Sequence, residues 1–534
     1  MQRITLVFAS TVISLVLAAC GGGGSDSLGT DNPGNNTGQT EPPIWTFNQF
    51  SPSSQFINYC ATPRTGTDQF NNDQPYPDKV GTAMHEKMWL RSFTNETYLW
   101  YDEVIDNDPA QFDTVTDYFE QLKTNQKTPS GNDKDQFHFY ESYDSFQKQA
   151  QAGFTTGYGI RWAVISTLPP RNFTVAAVEP NSPAAAAGIQ RGDKVLSIDG
   201  INFISSSDSA TLNAGLSPAQ SEQHEFVFED QAGNQKSVTL TSVDFKTSPI
   251  QNAQIINYAG KQVGYVQFNQ FIPTAQDGLI EAFNLFKTRQ IDDLILDMRY
   301  NGGGRVIMAA QLGYMIAGNN SLNKTFTFST LNDKRTAEEE RTEFESRVIN
   351  WAENTFTSTN LPTVSLPRVY ILSSRGTASA SENVINGLRG IDVEVFLIGT
   401  TTRGKPYGFV PAQNCGTVYY TIQFGSENAK GFDDYADGFT PSGASSNGEI
   451  GLSSQVPGCI VADDFSESLG SQNEDLLAAA LSHIDTGKCP ETIQSAPRLA
   501  PTQYGQGDRS GNAVTLPHYP LRDNAILLKP KESQ

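Results

Sequence analysis

Hydrophobic positions along this chain change their spacing from one segment to the next, and each spacing predicts a different kind of element. In AMHEKMWLRSFTNETYLWYDEVI and FDTVTDYFEQLKT the apolar residues recur at helical intervals with Asn, Asp and Pro breaks between the runs. Residues 46–150 therefore read as a helical N-terminal domain whose Trp and Tyr residues are core packing. From 153 to 245 the runs shorten to GFTTGYGIRWAVI, HEFVFED and SVTLTSV, β-rich pieces punctuated by turns. Beyond residue 250 strands alternate with helices. GKQVGYVQFNQF reads as a strand, DGLIEAFNLFKT sets Leu279, Ile280, Phe283 and Phe286 on one helical face, and DDLILDMRYNGGGR is a buried strand ending in glycines. RVYILSS, a helix from about Ser379, VEVFLIG and TVYYTIQF continue the alternation. The pattern predicts a multidomain α/β protein in which residues 250–490 form a sheet flanked by helices and residues 491–534 an irregular tail.

The N-terminus departs from all of these patterns. MQRITLVFASTVISLVLAAC has a basic residue near its start, a short apolar run and small residues before a cysteine, which is signal-peptide architecture over residues 1–20. LAAC resembles the lipobox of bacterial lipoproteins, and that resemblance implies that Cys20 carries the lipid and begins the mature chain. Gly21 rather than Asp after it points to the outer membrane. Residues 21–45 are Gly-, Asn- and Thr-rich, too poor in apolar side chains to fold, and read as a tether. The expected location is the cell envelope, lipid-anchored at the outer membrane and facing the periplasm or the cell surface.

Charge narrows the partners. The 534 residues carry 37 basic against 58 acidic side chains, a formal net charge of −21, which repels nucleic acid and anionic membrane surfaces. Contact with a membrane is then expected through the lipid alone. Cys60, Cys415, Cys459 and Cys489 remain after lipidation, an even set in a chain bound for an oxidising compartment. Of the three possible pairings, Cys415 with Cys459 closes a contiguous segment and Cys60 with Cys489 ties the ends of the folded part together, so these are expected. His85, His138, His224, His483 and His518 show no ligand spacing, and neither a metal site nor a cofactor is expected.

Within the β-rich segment, VAAVEPNSPAAAAGIQRGDKVLSIDG resembles the bacterial PDZ signature: a strand, a Ser-Pro-capped short helix from about Pro183 to Ala187, then a strand and tight turn. The resemblance implies a PDZ domain over 153–245 that adds an extended peptide as a strand and holds its terminal carboxylate on backbone N–H groups. Gly157, Tyr158, Gly159 and Ile160 match that carboxylate loop best.

The segment GTASASENVINGLRG follows an apolar strand and opens a helix, so Ser379 falls at a helix N-terminus, where free N–H groups favour developing negative charge. That placement suits a nucleophile. The glycines of DMRYNGGG, residues 297–304, end another strand and offer further N–H groups with no side chain in the way. No histidine stands in a convincing motif, and the GxSxG elbow is absent because Thr377 and Ala378 precede the serine. Lys405, in a glycine-flanked turn after VEVFLIG, is the available base. A lysine in a turn is ordinarily solvated and charged, and only burial makes it a base near neutral pH.

TASASE at 377–382, DMRYNGGG at 297–304 and RGKPYG at 403–408, together with the preceding PDZ-like segment, resemble in order and spacing the C-terminal processing peptidases, or tail-specific proteases. The resemblance covers about residues 80–490. It implies a serine endopeptidase with Ser379 as nucleophile, Lys405 as general base, and the amides of Ala380 and of Gly303 or Gly304 as oxyanion hole. It also implies polypeptides with exposed C-termini as substrates. Two details depart from the family pattern. The serine-to-lysine interval of 26 is about one residue longer than usual, and Phe409 stands where many members have a glutamine that orients the lysine. Glu382, Asn386, Gln413 and Asn414 are the residues that could take over that role. The alternative reading is a lipid-anchored PDZ binding or scaffold protein whose peptidase fold is inactive.

Overall fold

The run Asp293–Asp297 has every residue buried, which places it inside a sheet covered on both faces. The computed structural model describes residues 41–443 and 453–491, with short stretches at 513–514, 525–526 and 530. The expected signal peptide, Cys20 and most of the tether and tail lie outside the described residues. At the centre is a six-stranded sheet in the order Ile250–Tyr258, Lys261–Phe268, Asp293–Asp297, Arg368–Ser373, Glu394–Gly399, Gly458–Ile460. The first pair is antiparallel and the rest are parallel.

Alternate side chains serve opposite faces. Leu294, Leu296, Val369 and Ile371 join the helices Gln276–Arg289, Val306–Ala317 and Ala380–Gly390 in one apolar cluster. Ile295, Tyr370 and Leu372 meet the helix Asp475–Thr486 in another. On Gln276–Arg289, Leu279, Phe283 and Phe286 are buried and Ile280 is half-buried against the same cluster, as the helical spacing predicts. Each such side chain removed from water contributes about 1.5–3 kcal/mol. The parallel strands all end on one side of the sheet, and the loops after Asp297, Ser373 and Gly399 gather there.

Residues 153–245 fold around their own cluster, in which Trp162, Phe173, Val195, Ile198, Leu212, Phe226 and Phe228 are buried. Its main strands run in the order Gln235–Thr241, Gln223–Glu229, Lys194–Ile198, Asn172–Val178, Ile160–Ser166, which leaves Ile160–Ser166 at the edge. The helix Pro183–Ala186 forms where the Ser-Pro pair predicts it. Ser182 accepts from the Ala185 N–H at 3.2 Å, and Pro183 fills a first-turn position that needs no donor.

The N-terminal region is helical at Ala83–Thr97, Val115–Phe119 and Tyr143–Ala152, and between these it is irregular or paired in short strands. Its apolar cluster, which includes Met88, Trp89, Tyr118 and Phe119, is completed by Tyr419 from the 250–490 region. Phe139–Ser142 pairs with Thr417–Tyr420, and Tyr419 packs with Trp89 and Phe119. The expected disulfides are corrected for this reason. The structure pairs Cys60 with Cys415 and Cys459 with Cys489. Cys415 ends the hairpin that the N-terminal region packs on, whereas Cys459 lies in the last strand of the central sheet, beside the end of the helix Asp475–Thr486. Position in the fold decides which sulfurs meet, and it brings Cys60 to the hairpin turn and Cys489 to the last strand of the central sheet.

Candidate active site

Ser379 has φ 62° and ψ −115°, a conformation that L-residues avoid and that the surroundings must impose. It caps the helix Ala380–Gly390 and is fully buried. Its Oγ has no hydrogen-bond partner among the described residues. A buried hydroxyl without a partner loses its solvation for no structural return, a cost this site leaves uncompensated.

The strand-end loop 298–303 holds the turn before the serine. Thr377 Oγ1 donates to the Met298 carbonyl at 2.9 Å, and the Asn301 carbonyl accepts from the Ala378 N–H at 3.1 Å and from Ser381 Oγ at 2.8 Å. The Asn301 side chain ties its own loop, accepting the Gly303 N–H at 3.0 Å and donating to the Phe268 carbonyl at 3.0 Å. Gly303, at φ 115°, comes so close to the serine that a Cβ on it would stand 2.9 Å from Ser379 Cβ and 3.1 Å from the Ala380 nitrogen. Of the two glycine amides that the sequence left open, Gly303 is therefore already engaged by Asn301. Gly304, at φ 132°, lies against the Phe271 backbone, and Ala380 starts the helix that the serine caps.

Glu382 draws the lysine loop to the same place. One carboxylate oxygen accepts the Ser379 N–H at 2.8 Å and the Lys405 N–H at 2.9 Å; the other accepts the Gly404 N–H at 2.7 Å and Thr402 Oγ1 at 2.5 Å. Burial raises the Glu382 carboxyl above its ordinary range, and the four donors pull it partway back. Lys405 is buried, only 1 % exposed, with Nζ 4.6 Å from the ring centre of Phe137 and 4.0 Å from that of Phe409. The solvated turn lysine that the local sequence suggests is not what the fold makes.

Phe409 thus stands against the lysine as an aromatic face in place of an amide. Among the suggested orienting residues, Glu382 holds the Lys405 backbone, while Asn386 donates to the Phe432 carbonyl and Asn414 accepts from the Asn58 N–H. Gln413 lies in the hairpin strand Ala412–Asn414.

Asn301 and Thr402 were missed by sequence reasoning, whereas Glu382 was among the residues named for orienting the lysine. Its tie to the serine has a sequence signal, since Ser379 and Glu382 in SASE have the spacing of a helix capping box. Behind the glycine loop, Arg299 is fully buried and binds Asp297, Glu474 and Asp463, with Nη1 to Asp463 at 2.9 Å. Asp463 also takes Arg191, from the 153–245 domain, at 2.6 Å. Burial pushes the Asp463 carboxyl up, and the two guanidinium groups outweigh it and hold the carboxyl below its ordinary value.

The residues read as a carboxylate loop lie where strand meets domain core. Gly157 ends the strand Phe154–Gly157, Tyr158 is buried, Gly159 has φ 82° and Ile160 starts the edge strand. A Cβ on Gly159 would meet Ser182 Cβ at 2.2 Å, so the loop needs glycine to lie on the short helix. Elsewhere, His483 stands with Cys459 and Cys489 in a group whose ligand atoms all lie within 4.8 Å, a constellation the spacing did not reveal. The two sulfurs are bonded to each other and are not thiolate ligands in that state.

Residues 262–422 match the model of peptidase family S41, residues 85–139 that of the peptidase S41 N-terminal domain, and residues 174–213 that of the PDZ domain. The likeness to peptidase family S41 is carried by residues 262–422, with the N-terminal match alongside it. Similar proteins include a carboxyl-terminal-processing protease of Picosynechococcus sp., 28 % identical over 240 residues, which are 42 % of this chain and 49 % of the relative. Another is the carboxyl-terminal-processing protease of Synechocystis sp., 27 % identical over 268 residues, 50 % of this chain and 56 % of the relative. The chain spans about half the length of these curated relatives. A putative S41 protease from Bacteroides fragilis shares the fold at TM-score 0.55 and 23 % identity, over 78 % of this chain and 98 % of that one.

Proposed function

We propose that this protein is a serine endopeptidase of the C-terminal processing type. The observation that carries the reading is the convergence of the Ser379 and Lys405 amides on one oxygen of Glu382, beside the strained, buried serine. In the proposed cycle Ser379 Oγ attacks a peptide carbonyl while Lys405 Nζ takes its proton. The bond to the leaving amine breaks as the proton is returned to it, and water then hydrolyses the acyl-enzyme. Ala380 and one of Gly303 and Gly304 are the proposed donors to the oxyanion. Burial favours the neutral amine that a base must be, while the two phenyl faces attract its cationic form and so help it hold the proton in transit.

The substrates proposed are polypeptides with exposed C-termini, taken up along the edge strand Ile160–Ser166 with Gly157, Tyr158, Gly159 and Ile160 at the carboxylate. The proposed location is the cell envelope, with Cys20 lipidated. The test is cleavage of an unfolded protein with an apolar C-terminus by the wild type, Ser379→Ala and Lys405→Ala. Cleavage by the wild type alone, with both variants folded, supports the dyad. If no form cleaves while all bind the peptide end, the protein is an inactive PDZ receptor and the proposal fails.

A further inference from the structure

The second sheet of the peptidase core has the order Gly304–Arg305, Ala525–Ile526, Tyr407–Phe409, Phe424–Glu427, Thr325–Thr330, Glu340–Glu343. One of these strands comes from the C-terminal tail. Ala525 and Ile526 run parallel to both neighbours, with Ala525 opposite Gly304 on one side and Gly408 on the other. Without the tail, Gly304–Arg305 and Tyr407–Phe409 are two facing edges with unpaired N–H and C=O groups, a slot one strand wide.

The slot is backbone-lined at its closest point, because both residues opposite Ala525 are glycines. It also opens on the candidate dyad from both walls. Gly304 directly follows Gly303, whose Cβ position lies 2.9 Å from Ser379 Cβ. Tyr407–Phe409 follows Lys405 and carries the Phe409 ring that Lys405 Nζ approaches at 4.0 Å. An extended backbone here is held beside the serine by main-chain hydrogen bonds that any sequence can make.

A second described piece of the tail touches the other peptide-taking domain. Val514 is fully buried within the apolar cluster that contains Tyr158, Trp162 and Leu212, and its N–H donates to the Thr167 carbonyl at 3.2 Å.

We infer that the slot between Gly304–Arg305 and Tyr407–Phe409 is a docking site for extended polypeptide, and that the chain's own C-terminal segment is its resident competitor, anchored at Val514 and paired at Ala525–Ile526. The inference rests on the peptidase reading for what the slot serves, though occupancy of the slot is independent of catalysis. A substrate strand then has to displace the tail. A tethered occupant acts at an effective concentration in the millimolar range, so it weakens a competing peptide that binds at about 100 μM by roughly tenfold.

The test uses the full-length chain with Ser379→Ala, so that nothing is cleaved, against the same chain ending at Pro520, which retains Val514. The probe is a fluorescein-labelled peptide of residues 521–534, LRDNAILLKPKESQ, followed by anisotropy. The expected result is binding about tenfold tighter to the shortened chain, and the same gain in a full-length chain carrying Ala525→Pro and Ile526→Pro, since two prolines cannot complete the ladder. Equal affinities for all forms overturn the inference. So does unfolding of both the shortened and the proline chains, which makes the segment a fixed structural strand. A parallel cleavage assay in the Ser379 background separates the two proposals: tighter binding without cleavage by any form leaves the slot standing and removes the peptidase.

Discussion

Glu382 Oε2 accepts the backbone N–H of Lys405 at 2.9 Å while holding that of Ser379 at 2.8 Å. A single buried carboxylate therefore fixes the spacing of two loops that leave different strands of the sheet. Glu382→Ala is expected to strand four buried donors, at a cost of about 1–3 kcal/mol for each that finds no water. Glu382→Gln keeps an acceptor and the volume but loses the second oxygen, and with a misplacement near 1 Å it is expected to lower kcat by about a hundredfold while KM changes little. Steady-state kinetics and thermal melts of both variants check this. Unchanged kcat in Glu382→Gln removes the positioning role.

Gly303 is the second point at which geometry dictates an outcome. Gly303→Ala puts a methyl 2.9 Å from Ser379 Cβ at φ 115°. Something must shift, and the nearest movable group is the serine turn itself. Turnover is expected to drop by about two to three orders of magnitude, the scale of losing an oxyanion donor, with the fold retained by circular dichroism. Activity within a few-fold of wild type shows that the turn yields at no cost to the site.

His138 gives the pH dependence a definite sign. Its side chain is 1 % exposed, stacked on Phe119 at 3.9 Å, and Nε2 donates to the Phe119 carbonyl at 2.8 Å. Burial lowers its pKa from 6.5 to about 4. The folded state thus stays neutral where the unfolded chain takes up a proton, and stability falls as pH drops from 6.5 to about 4. The lost share is on the order of 3 kcal/mol. His138→Gln retains a donor for the carbonyl and is expected to lack this loss. Urea melts of both proteins at neutral and mildly acidic pH test it, and equal losses discard the assignment.

Non-reducing peptide mapping tests the cysteine connectivity. The expected linked peptides join Cys60 to Cys415 and Cys459 to Cys489, separated by 355 and 30 residues. By the chain-entropy account these closures contribute about 6 and about 4 kcal/mol, so Cys60→Ser is expected to destabilise more than Cys489→Ser. Peptides joining Cys415 to Cys459 instead contradict the packing of the N-terminal region on the hairpin.

The helix Gln276–Arg289, the strand Asp293–Asp297 and the capped turn Pro183–Ala186 were legible because each is decided by spacing within a dozen residues. Ser379 at a helix start and the glycine strand end were legible for the same reason. In the N-terminal region the helices Ala83–Thr97 and Val115–Phe119 were legible. Its remaining structure depends on partners such as Tyr419, hundreds of residues away, which no local period announces.

By itself, then, the sequence determined the alternation of elements in the described residues and which small set of residues is the candidate for serine chemistry. The tertiary structure alone decided that Lys405 is buried under Phe137 and Phe409, that Asn301 occupies the Gly303 amide and that Glu382 joins the two loops. It likewise decided which cysteines pair and that the tail closes the second sheet. The division has one physical cause. Periodicity and capping are local properties of the backbone, whereas burial, hydrogen-bond partnership and strand neighbours depend on which distant segments the packed core brings together.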